Sequence, residues 1–170
     1  MSMTAGGMAN YIISQISGLT NQLTAITTFG NALGSYIVSN ATVTYSWTGA
    51  MTVSPFTVDP TTFFTGTISY TSSLSFSDTS STTATSALAN FSTALNTFLA
   101  TFIISAPAGF VLTPMFIIPT ISLSASGATN QLSAMTSLCS DIISGLSCTP
   151  VATGTHAGTY TGTATFVSIV

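Results

Sequence analysis

Residues 80–105 read SSTTATSALANFSTALNTFLATFIIS, with Ala84, Leu88, Phe91, Leu95, Phe98 and Phe102 recurring at steps of four and three. That spacing lays one apolar stripe along a helix and predicts a helix over 80–104. The opposite face holds Asn90, Ser92, Thr93, Asn96 and Thr97 where Glu and Lys would ordinarily stand. The loop before it, SDTSSTT over 77–83, is rich in residues that cap helices, with Asp78, Ser80 or Ser81 as candidates. Pro107 and Gly109 stop the helix on its other side.

Working outward, the segment before this helix alternates. Over 61–76, Phe64, Ile68, Tyr70, Leu74 and Phe76 share one face of a strand and Thr65, Thr67, Ser69, Thr71, Ser73 and Ser75 the other. Such a strand suits an antiparallel sheet with one side covered, and the helix that follows is the natural cover, anchored by Phe91, Leu95 and Phe98. A second alternating strand is expected over 42–53, where Gly49-Ala50 is either a hairpin turn or a small pair inside one strand. Pro55 and Asp59-Pro60 punctuate the chain between the two strands.

At the N-terminus, Ile12, Ile16, Leu19, Leu23 and Ile26 form a stripe that Phe29, Leu33 and Ile37 continue, predicting one helix over 8–39. Gly30 and Gly34 near its end imply a bend or a close approach. Beyond the central helix, 110–123 is apolar on both faces and reads as a strand. Its Pro114 and Pro119 favour an edge position, and an apolar edge invites a second chain. A further helix is expected over 126–146, with Leu132, Met135, Leu138, Ile142 and Leu146 on one stripe and Gly145 near its end. A last strand is expected over 158–170, where Thr159, Thr161, Thr163 and Thr165 alternate with Tyr160, Gly162, Ala164 and Phe166. The expected fold is therefore α+β, a single domain over 1–170. It has a mostly antiparallel sheet and about three amphipathic helices on one face, in the order α-β-β(-β)-α-β-α-β.

Composition bounds the function. Among 170 residues there is no Lys or Arg, charged residues are 2%, and hydrophobic residues are 46%. An average domain carries roughly 25% charge, so the depletion is the strongest signal in the sequence. Nucleic-acid binding takes its affinity from Lys and Arg on phosphates, and attachment to anionic lipid uses the same residues, so neither is expected. A surface with almost no charge also lacks the repulsion that keeps monomers apart. Pro107, Gly109 and Pro114 break the apolar run over 98–119 and argue against a membrane span. The start, MSMTAGGMAN, shows no basic stretch followed by an apolar core, hence no visible signal peptide.

Few groups carry chemistry. The carboxylates are Asp59, Asp78 and Asp141, and His156 stands in a glycine-flanked approach to the last strand, as a surface turn histidine would. Each Asp has a turn, cap or helix-surface explanation, so no catalytic residue, cofactor or metal is expected. Cys139 and Cys148 lack the C-x-x-C pairing of a zinc site and are candidates for a disulfide in an oxidising compartment.

The expected function is a non-enzymatic structural subunit whose partners are itself and other structural proteins. A tail, neck or outer-shell component of a virus particle fits best, located in a virion or outside the cell. An extracellular filament or surface-layer subunit is the alternative. The Thr row over 159–165 is similar to the flat surfaces of ice-binding proteins, so ice or carbohydrate binding is a lesser reading. The expected interface combines Asn90, Thr93, Asn96 and Thr97 with Phe110, Leu112, Met115, Phe116, Ile117 and Ile118.

Overall fold

The computed structural model describes residues 3–53, 56–58, 62–77, 80–105, 110–112, 115–116, 130–146, 154–156 and 160–169. They form a mixed α and β structure with four helices: α1 (Ala5–Ile16), α2 (Gln22–Asn40), α3 (Ala84–Leu99) and α4 (Gln131–Gly145). The strands are β1 (Val43–Val53), β2 (Phe56–Val58), β3 (Thr62–Tyr70), β4 (Phe102–Ser105), β5 (Phe110–Leu112), β6 (Met115–Phe116), β7 (Gly154–His156) and β8 (Tyr160–Ile169).

Four helices replace the three expected because the N-terminal stripe spans two. The expected helix over 8–39 breaks after Ile16, where Gly18 adopts φ +81, a left-handed conformation that a side chain disfavours. Asn21 then caps α2, its side chain accepting from the Thr24 amide at 3.0 Å. Leu19 and Leu23, placed on the core stripe by their spacing, are instead 38% and 61% exposed.

Both later helices start one capping signal downstream of where the sequence suggested. Thr83, not Asp78, Ser80 or Ser81, caps α3, and Asn130 caps α4 four residues after the expected start at 126. Each cap is reciprocal. The Ser86 amide donates to Thr83 Oγ1 at 3.2 Å and the Thr83 amide to Ser86 Oγ at 3.3 Å. Asn130 and Ser133 repeat the pattern. The position three residues into the helix is usually Glu or Gln, so here a hydroxyl does a carboxylate's work.

The central helix also ends early. The Thr101 amide and hydroxyl both donate to the Phe98 carbonyl, at 3.0 and 2.7 Å, which tightens the last turn. Phe102 therefore opens β4 rather than closing the helical stripe, and it is fully buried. The strand expected over 61–76 ends at Tyr70, and residues 71–77 continue without strand pairing. In register, Tyr70 faces Phe102, and their rings stack with centroids 5.2 Å apart. Phe98 meets both rings edge-on, at 5.7 and 5.4 Å.

The core joins these aromatics to Leu95 and Leu99 of α3, Leu33 and Ile37 of α2, Met8 and Ile12 of α1, and Cys139 and Ile142 of α4. Gly30 and Gly34 sit in an unbroken α2, so their role is close approach, not a bend. A Cβ on Gly34 would stand 2.7 Å from the Tyr70 ring, and one on Gly30 would overlap the Leu74 side chain. The chain leaving β3 thus lies directly against the helix backbone. On α4, Leu132 is 47% exposed although its spacing put it on the buried stripe; the rest of that stripe packs on the core, Ile142 and Leu146 buried and Met135 and Leu138 partly so, with Cys139 beside them.

Strand order is β5-β7-β8-β1-β3-β4-β6, with β2 folded back on β1, and every pairing is antiparallel. β1 is one strand through Gly49-Ala50, so no hairpin turn occurs there. His156, expected in a turn, lies in β7 opposite Phe110 and Tyr160. The single strand expected over 110–123 is two short ones, β5 and β6, at opposite ends of the sheet order, and 117–123 lies outside the described residues.

β5 and β6 are neighbours in sequence but stand at opposite ends of the strand order. Gly154, Gly162 and Gly49 align across β7, β8 and β1.

Candidate functional site

The outer face of α3 spends its hydrogen-bonding groups at home. Thr93 Oγ1 donates to the Ala89 carbonyl at 3.1 Å, and Thr97 Oγ1 to the Thr93 carbonyl at 3.0 Å. Such bonds to the carbonyl four residues back satisfy a hydroxyl without any neighbour. Asn90 Nδ2 donates to Ser81 Oγ at 3.0 Å, tying the helix to its own leading loop. Asn96 is half-buried, and its Oδ1 is closed off from solvent with no hydrogen-bond donor. Thr93, Thr97 and Asn90 are exposed as expected, but they form a polar face that is internally satisfied. A shallow cavity of about 220 Å³ beside it is lined by Ser72, Ser73, Ser75, Ala94, Thr97 and Phe98, together with Thr101.

Of the other expected interface residues, Phe110 and Leu112 pair with β7 through β5, and Met115 and Phe116 pair with β4 through β6. Ile117 and Ile118 lie outside the described residues, as do Asp59, Asp78 and Cys148. Of the expected interface, one half lies on α3 and the described part of the other lies in β5 and β6.

Sequence reasoning missed the α1–α2 hairpin as a surface. Among the described residues, the exposed large apolar side chains are Tyr11, Leu19, Leu23, Val38 and Leu132, and the first four belong to this hairpin. The Tyr11 and Tyr36 rings bridge the two helices with centroids 5.9 Å apart. Beside them runs an open groove of about 150 Å³ lined by Tyr11, Gln15, Thr28, Asn31, Ala32 and Ser35. The signal that would have exposed it is Gly18 followed by Asn21, a helix stop and a helix cap three residues apart.

Titratable groups are sparse. Asp141 is half-buried on α4, and His156 is in β7. Cys139 is a free thiol whose burial pushes its pKa from 9.0 up to about 12, so it stays protonated and unreactive near neutrality. Among the described residues, no three His, Cys, Asp or Glu side chains cluster as metal ligands, and no helix is long and apolar enough to cross a membrane. The chain matches no protein family, no curated protein and no solved structure.

Proposed function

We propose that this chain is a non-enzymatic structural subunit that assembles with copies of itself into a larger particle or tube, as a tail, neck or outer-shell component of a virion. One observation carries the reading: 170 residues with no Lys or Arg and three Asp as the only acids. Ordinary soluble domains use charge for solubility and for keeping copies apart. Replacing it with hydroxyls and amides, even at the N3 positions of two capping boxes, removes that barrier while leaving folding intact.

In this reading the chain is one domain whose helices cover one face of the sheet. Support comes from Phe98 and Leu95, which join α3 to the Tyr70–Phe102 pair of β3 and β4. Its partners are itself and other structural proteins, and nucleic acid is not among them, because no cation is available for phosphate. Negative-stain microscopy of the purified chain tests the proposal. Regular particles, rings or tubes are expected, and a field of dispersed monomers at high concentration would refute it.

A further inference from the structure

We propose that copies of the chain meet through the outer face of the α1–α2 hairpin, which deepens and rests on the assembly reading above. Three observations converge on it.

The first concerns the alternatives. An apolar strand edge would be the usual place for a second chain to add. Here the apolar end strands are short: among the described residues β5 offers the three positions Phe110–Leu112 and β6 the two positions Met115–Phe116, each already paired on one side within the chain. The back of α3 is equally poor, since Thr93 and Thr97 already donate to their own helix and Asn96 Oδ1 is out of reach.

The second is where apolar surface remains. Tyr11, Leu19, Leu23 and Val38, at 39%, 38%, 61% and 39% exposure, lie along a single hairpin with an open groove between its helices. Scattered exposed leucines need no explanation, but among the residues whose exposure is described four of the five large exposed apolar side chains fall on this one unit.

The third identifies the occupant. The hairpin has no charge at all, from Ala5 to Asn40. A partner of ordinary composition would have to strip water from its charged residues with no countercharge to receive them, which strongly disfavours the contact. A surface equally free of charge avoids that cost, and a second copy of this chain supplies one. The Asn31 and Ser35 groups of the groove can donate and accept with their own counterparts across a symmetric contact, and Gln15, whose Nε2 donates to Ser14 Oγ, can accept through its Oε1.

The test is solution mass by light scattering on the purified full-length chain, beside Leu23→Lys, the milder Leu23→Ser and the control Thr97→Lys on the back of α3. Circular dichroism and thermal midpoint verify folding of each. The expected result is an assembled parent chain and an assembled Thr97→Lys. Leu23→Lys should weaken association at least about a hundredfold, because it places an unpaired charge in the contact. Leu23→Ser, which adds no charge, should weaken it less. A folded Leu23→Lys that assembles as tightly as the parent overturns the hairpin contact and leaves the assembly reading standing. A parent chain that is monomeric overturns both.

Discussion

α3 and the α1–α2 hairpin use the same residue alphabet and treat their outer faces differently. On α3, Ser, Thr and Asn cover the outside and bond back onto the helix or its leading loop, while Leu95, Phe98 and Leu99 go entirely inward. On the hairpin, glycines and aliphatics fill the inner side, yet Tyr11, Leu23 and Val38 stay in water. Where no charge marks the surface, outside is defined by hydrogen bonds that close locally. The hairpin makes such bonds too, as Ser14 Oγ does to the Tyr11 carbonyl at 2.7 Å and Asn40 Nδ2 to the Tyr36 carbonyl at 3.0 Å, but beside them it also shows large apolar side chains.

The contrast can be broken most severely from its buried side. Phe102→Ala removes the ring on which Tyr70 stacks and Phe98 abuts, and should cost about 3–5 kcal/mol, visible in chemical denaturation. Next comes the hairpin's inner face. Gly30→Ala forces α2 away from Leu74 and should destabilise by about 1–3 kcal/mol. Gly6→Ala in α1, where an added Cβ meets nothing, should be neutral or slightly stabilising. Both are read from thermal midpoints, and equal effects would mean that α2 does not press on the chain leaving β3. Asn130→Ala should then cost about 1 kcal/mol through loss of the α4 cap. On the two outer faces, Thr93→Ala and Leu23→Ser should each change the intrinsic stability of a subunit by less than about 0.5 kcal/mol, measured below the concentration of assembly. A larger loss at Leu23 would mean that it packs within its own subunit.

The last effect is absent near neutrality and confined to alkaline pH. The Cys139 thiol ionises near 9.0 when unfolded and near 12 in the fold, so above pH 9 the unfolded state holds fewer protons. Its contribution is fully present below pH 9 and is lost progressively up to about 12. Cys139→Val should flatten that part of the thermal-midpoint profile relative to the parent.

These elements also show what a charge-free sequence reveals. The α3 stripe was legible because its period is unbroken and a Pro and a Gly follow it; the anchors Leu95 and Phe98 are where spacing put them. Phe102 kept its burial but changed element, since the turn at Thr101 depends on a side-chain bond that no hydrophobic pattern encodes. The N-terminal stripe misled because Ile16, Leu19 and Leu23 stay in phase across a real break at Gly18. Charged residues normally help to mark such a break, and from Ala5 to Asn40 there are none. The placement of β5 and β6 at two ends of the sheet was illegible for another reason: strand pairing is set by partners elsewhere in the chain, such as His156 for Phe110 and Ile104 for Met115. For the candidate site, composition gave the kind of surface, and only packing gave its place.

The account rests on association without charge, and its sharpest test is the solution mass of the full chain measured by light scattering from about 0.01 to 1 M sodium chloride. Over that range the Debye length falls from roughly 30 to 3 Å, which would dissolve or drive any contact made by ion pairs. The expected result is a multimer whose mass does not fall as salt rises. A monomer throughout, or a multimer that dissociates as salt is added, would contradict it.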